Sequence, residues 1–243
     1  MKTRTIACLL LSPFIIAPHF AFGHSDYSVV SLSPGGGDHL TNPAQLRFDD
    51  GSYENGINWY SDKVGGYVGW AKKLSLTIPS GQFMRIDDII LAFSRKQGEL
   101  SADCDYDLSV CADNNGQPDV ENPIWQASYT HSPDIPTAPS WCNVDHIPQE
   151  EVLLPSEQDE TIFWVCYFPR WTSGITPDPP FYFCLDTNSW YVRSYGNSNR
   201  ENPLWQTLPY LSIMTAEFAC GIDYTFVTSV QPFSLGELKT LYR

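Results

Sequence analysis

Thr161-Ile162-Phe163-Trp164-Val165-Cys166-Tyr167-Phe168 is the stretch on which the fold turns. Both of its alternating residue sets are apolar or aromatic, so neither face of an extended chain here is built to meet water. It therefore reads as a central strand covered on both sides. Moving outward, similar runs of β-branched and aromatic residues alternate with turn clusters. Before it lie Lys73 to Ile78, closed by Pro79-Ser80-Gly81-Gln82, then Ile86 to Ser94, Tyr106 to Ala112 ahead of Asp113-Asn114-Asn115-Gly116, and Glu151 to Leu154. After it come Phe181 to Leu185, Trp190 to Tyr195 before Gly196-Asn197, and Leu208 to Cys220. Short strands at this spacing, with no 3.6-residue apolar period held over three turns, predict an all-β domain, a two-sheet antiparallel β-sandwich of jelly-roll-like form. The domain is placed at 46–230.

The flanks carry different signals. Met1-Lys2-Thr3-Arg4, the uncharged run Ile6 to Ala17 and the small-residue tripeptide Ala21-Phe22-Gly23 follow the order of a secretory signal peptide over 1–23. The run is too short, and too broken by Pro13 and Pro18, to span a bilayer. A secreted or cell-surface location is expected, with no membrane insertion. Residues 24–45, rich in Ser, Gly and Pro and containing Gly35-Gly36-Gly37, read as a flexible arm. At the other end, Ser234 and Glu237 have capping-box spacing, and Leu235, Leu238, Leu241 and Tyr242 recur at helical intervals. A short helix is predicted in the tail 231–243.

The sequence has 28 Asp and Glu against 14 Lys and Arg, a net charge of −14. That balance argues against nucleic acid and anionic membrane as partners, because both demand clustered cations. Of seven cysteines, Cys8 lies in the leader. The remaining Cys104, Cys111, Cys142, Cys166, Cys184 and Cys220 make an even set, and in an oxidising compartment they predict disulfides of open connectivity. Cys104 and Cys111 would point to opposite faces of a shared strand and so cannot bond each other. Cys166 and Cys184, on successive apolar runs, form the preferred pair.

Phe48-Asp49-Asp50-Gly51-Ser52-Tyr53-Glu54-Asn55-Gly56, then Val68-Gly69-Trp70-Ala71, Ala112 to Pro118 and Phe163-Trp164-Val165, occur in this order. The series resembles a group of secreted bacterial β-sandwich modules. The ending Gly236-Glu237-Leu238-Lys239-Thr240-Leu241-Tyr242-Arg243 is similar to a C-terminal tail found on some exported bacterial proteins. The resemblance implies a jelly-roll-like extracellular module and supplies no catalytic residues.

The acidic and aromatic residues suggest three chemistries. Asp105, Asp107, Asp113, Asn115 and Asp119, with Asp103, offer the oxygen donors of a structural calcium site; the same stretch also reads as a hairpin in which Asn115-Gly116 makes the turn. Trp141, Trp171 and Trp190, flanked by Pro-rich or Asn-rich loops, are the candidate platforms for stacking on a sugar ring. Glu217, with Glu54 as partner, is the candidate acid pair of a glycan hydrolase. No Gly-x-Ser-x-Gly or His-Glu-x-x-His motif is present. The function expected is a secreted, non-catalytic binding, adhesion or surface-structural module whose partner is an extracellular glycan or surface protein, the alternative being a secreted glycan hydrolase. One further pattern remains: Glu121-Asn122-Pro123-Ile124-Trp125-Gln126 recurs as Glu201-Asn202-Pro203-Leu204-Trp205-Gln206. It reads as two equivalent turns, each introducing a Trp-bearing edge.

Overall fold

The computed structural model describes residues 27–31, 45–48, 51–60, 63–98, 104–157, 160–171, 179–187, 193–207 and 216–228. Those residues build a two-sheet antiparallel β-sandwich with no helix among them. The segments read as a signal peptide and as a C-terminal helix, and Trp190, lie outside the described residues.

In the first sheet the strands run in the order β1 (Tyr27–Ser31), β3 (Asn55–Trp59), β12 (Phe181–Asp186), β5 (Gln82–Arg95), β16 (Cys220–Thr228), β2 (Gln45–Arg47). Off that path, β9 (Cys142–His146) and β10 (Val152–Pro155) pair with β5, and β15 (Glu217–Phe218) pairs with β12. The second sheet runs β14 (Gln206–Thr207), β13 (Ser194–Asn197), β4 (Gly69–Leu76), β11 (Thr161–Pro169), β6 (Asp105–Asn114), β7 (Gln117–Pro118), with β8 (Trp125–Thr130) also on β6.

The opening octapeptide is the middle of the second sheet: β11 is laddered to β4 on one side and β6 on the other. Its inner set, Phe163, Val165 and Tyr167, joins the main core between the sheets, while Trp164, Cys166 and Phe168 join a second cluster with Ala71, Cys111 and Trp205. An antiparallel sheet commonly wets one face. Here that second face is roofed by the loops that carry Val120 and Trp205.

Two readings of the sequence change. The segment 24–45 is not wholly an arm, because Tyr27–Ser31 pairs antiparallel with Asn55–Trp59 as an edge strand; the Gly-rich bias that suggests a loop begins only after Val29-Val30. The cysteine pair Cys166 and Cys184 falls on different sheets, in β11 and β12, so the adjacency argued for it does not exist. Cys104, Cys184 and Cys220 belong to the inner core, with Cys142 packed against it, while Cys111 and Cys166 belong to the outer cluster. Cys104 and Cys111 thus occupy opposite faces, as their spacing requires. Burial and contact with Cys111 push the Cys166 thiol well above its ordinary range.

Candidate functional site

The outer face of the second sheet ends in a polar cleft of about 140 Å³, lined by Gly66, Tyr67, Ser109, Val120, Gln126, Phe168 and Arg170. Its floor follows from register. Gln126 on β8 lies opposite Ser109 on β6, and on the same two strands Ser128 lies opposite Asp107. Phe168 on β11 lies opposite Asp107 from the other side.

Arg170 is fixed there by several contacts. Its backbone N–H donates to Asp105 O (2.8 Å), its Nε donates to Asp107 Oδ2 (2.6 Å) and its Nη1 to Gly66 O (3.0 Å). The guanidinium lies 5.9 Å from the Phe168 ring centroid, and Phe168 meets the Trp205 ring edge-on at 5.9 Å. Asp107 also accepts from Ser128 Oγ at 2.7 Å, so both its oxygens are engaged. The wall bearing Tyr67 is tied to the loop beyond β13: Tyr67 N–H donates to Arg200 O (3.3 Å) and Asn197 Nδ2 donates to Tyr67 O (2.8 Å). That approach requires glycine next door. Gly66 has φ 56°, and a Cβ there would stand 2.2 Å from Arg200 O.

The lining of the cleft therefore includes the held guanidinium of Arg170, the carboxamide residue Gln126 and the phenolic residue Tyr67. These groups donate to and accept from hydroxyls. They include no nucleophile with a base beside it, and the one carboxylate at the edge, Asp107, is already bound by Arg170 and Ser128.

The residues singled out by sequence fall elsewhere. Trp171 is 1% exposed, inside the inner core beside His131 (6.0 Å) and Tyr167 (6.5 Å), and it cannot serve as a surface platform. Flanking prolines record that the chain turns, not what the ring meets. Trp141 is half-buried, with its ring edge-on to Tyr53 at 4.6 Å.

The acidic residues behave as hairpin groups. Asp105 accepts from Thr130 Oγ1 (2.5 Å), and Asp113 accepts from the Gly116 N–H (3.0 Å) and Trp164 Nε1 (2.8 Å). Asp119 accepts from the N–H of Asn122 (3.3 Å), and Asn115 and Gly116 take φ 55° and 81°. Positive φ at both central residues makes this a two-residue hairpin turn of the type that suits strand twist. Among the described residues no three His, Cys, Asp or Glu side chains gather as a metal site.

Glu217 is fully buried, bound by Lys72, Ser194 and the Arg193 N–H, and Glu54 accepts from Thr187. The two therefore do not face each other across a cleft as hydrolytic carboxylates would.

Two buried sets of hydrogen bonds hold the histidines. Asn58 Nδ2 donates to Tyr167 Oη (3.3 Å), and the same hydroxyl is hydrogen-bonded to His131 Nε2 (3.1 Å). His146 donates from Nδ1 to Ile89 O (2.9 Å) and accepts from Tyr106 Oη at Nε2 (2.5 Å). Burial holds His131 well below the ordinary histidine range, with the charge of His146 adding to it, and burial likewise lowers His146.

Comparison with known proteins returns no match, whether to protein-family models, to curated proteins or to solved structures. The cleft residues Tyr67, Gln126 and Arg170 were not singled out in the sequence. Gln126 closes one copy of the recurring hexapeptide, and that recurrence is the one local signal that pointed near them.

Proposed function

We propose that this chain is an exported, non-catalytic module that binds glycan at an extracellular surface, with the cleft around Arg170 as its binding site. The observation that carries this reading is the Asp107–Arg170 pair. A guanidinium locked by a carboxylate and by Gly66 O keeps its remaining N–H groups aimed at one place, so little ordering is lost when a hydroxyl takes them. Gln126 adds a donor and an acceptor, and Tyr67 adds a ring with a polar tip. Pairing with Asp107 neutralises Arg170 in a chain of net charge −14, which favours neutral sugar hydroxyls over anionic groups.

The test is a glycan array with the leader-free chain, followed by titration of any hit against Arg170→Ala and Tyr67→Ala. Arg170→Ala should weaken binding at least roughly tenfold, the loss of a hydrogen bond to a charged group being worth about 1.5–3 kcal/mol, and Tyr67→Ala severalfold, a neutral one being worth about 0.5–1.5 kcal/mol. Binding that survives both substitutions would move the site elsewhere, and turnover of a bound glycan would replace the reading with an enzymatic one.

A further inference from the structure

Lys72 is 1% exposed and Glu217 is fully buried, although lysine and glutamate are almost never enclosed unless paired. Lys72 belongs to β4 in the second sheet and Glu217 to β15 in the first, so the pair bridges the two layers. The Lys72 ammonium touches Glu217 Oε2. Ser194 Oγ, on the strand beside β4 and directly opposite Lys72 in its ladder, donates to the same oxygen at 2.7 Å. The backbone N–H of Arg193 donates to the other oxygen, Oε1, at 2.8 Å. Ser194 is itself aimed, because its Oγ accepts from the Phe218 N–H at 2.8 Å. The aromatic rings of Trp70 and Phe218, 5.2 Å apart, come from the residues two before Lys72 and one after Glu217.

An ion pair in this setting is costly, since two charges have left water and recover only part of their hydration from each other. The same geometry is also that of an amine held against an acyl carbon whose two oxygens both receive hydrogen bonds. We propose that Lys72 and Glu217 condense into an intramolecular amide that covalently joins β4 to β15. Nζ forms a bond to Cδ of Glu217, and the Cδ–Oε2 bond breaks. Two protons of the ammonium leave with Oε2 as one water, and the third stays on the amide nitrogen. No oxidant, reductant or cofactor enters the balance. Charge building on Oε1 during attack is met by the Arg193 N–H, already in place, and Ser194 serves the departing oxygen. Fixed contact substitutes for concentration, with effective molarities for well-oriented groups on the order of 10⁵–10⁸ M. Exclusion of water from the site then protects the product from hydrolysis. Both buried charges disappear in the reaction, and this gives it a direction.

The proposal stands apart from the glycan site, which shares no residue with it. It is tested on the purified, reduced and denatured wild-type chain by intact mass. The expected mass is one water below that of the sequence with the same N-terminus, and proteolysis should yield a branched peptide joining Lys72 to Glu217, with trypsin unable to cut after Lys72. Lys72→Met, and Lys72→Met combined with Glu217→Leu, should both return to their full sequence masses. A wild-type chain of full mass, with a recovered peptide ending at Lys72, overturns the proposal and leaves a buried ion pair. Because the wild-type measurement decides on its own, a variant that failed to fold would not rescue it.

Discussion

The hexapeptides at 121–126 and 201–206 begin alike and end on opposite sides of the same sheet. In each, a side chain three residues before the Asn accepts from its N–H: Asp119 for Asn122 (3.3 Å) and Asn199 for Asn202 (3.1 Å). Each then exposes an aliphatic residue, Ile124 at 41% and Leu204 at 58%, and buries the Trp that follows. Here the likeness stops. The N–H of Ile124 reaches across to Val110 O (2.8 Å), so the ladder begins at Trp125, opposite Val110, and the ring enters the inner core. The N–H of Leu204 instead folds back to Asn202 O (2.9 Å). The ladder then starts one residue later, at Gln206, and Trp205 covers Cys111, Cys166 and Phe168 on the outer face. Residues directly opposite in an antiparallel pair share a face, so Trp125 follows Val110 into the inner core, whereas Trp205 precedes its ladder and takes its side from the turn that carries it. The identical turn chemistry makes the two edges, but whether the Trp itself joins the ladder separates the side each one serves.

The comparison can be broken in several ways. Trp125→Ala should have the largest effect, lowering unfolding free energy by about 4 kcal/mol in urea titrations, because it opens a cavity in the main core. Trp205→Ala should cost less, about 3 kcal/mol, since its cluster is small and its Nε1 has no partner to strand. Equal losses, or a larger one at Trp205, would mean that the outer face is a core of the same rank.

Acid should separate the faces further. His131 and His146 lie under the inner face and are held neutral when folded, with lowered pKa values. The unfolded chain binds protons near the ordinary value of about 6.5, so stability is full above that pH and is lost as pH falls below it toward the folded values. The slope is at most about 1.4 kcal/mol per pH unit for each histidine. Urea midpoints at pH 7.5 and 5.5 would read it, and a flat profile would show that the histidines are hydrated.

Smaller still is Gln117→Ala, which removes the Oε1 that accepts from the Trp205 N–H at 3.0 Å and should cost about 1 kcal/mol, with no counterpart at Trp125. Ile124→Ser and Leu204→Ser should each stay within about 0.5 kcal/mol, as exposed positions do. Chelator should leave the melting temperature unchanged, the carboxylates of the 105–119 hairpin having protein donors already.

Much of the sheet structure was legible because burial on two faces leaves a local trace. Thr161 to Phe168, Tyr106 to Ala112 and Phe181 to Leu185 were each read within a few residues of β11, β6 and β12. Strands with weaker alternation were missed. Asn55–Trp59 contains Asn55, Gly56 and Asn58 and owes its place to ladders on both sides, and Cys142–His146 is held by the long strand β5. The candidate site was nearly invisible. Trp171 looked exposed because of its neighbours in sequence, while Arg170, one residue earlier, acquired its meaning from Asp107 and Gly66, 63 and 104 residues away.

By itself, the sequence determined the all-β class, the central strand, the Asn115-Gly116 turn and the two Trp-bearing edges, because each rests on dihedral preference or on period-2 burial that neighbouring residues encode. Tertiary structure alone decided which sheet each cysteine joined, which face Trp125 and Trp205 took, and that Lys72 would meet Glu217 inside the sandwich. Those outcomes depend on ladder register and on contacts between residues far apart in the chain, and no local window of side chains carries that information.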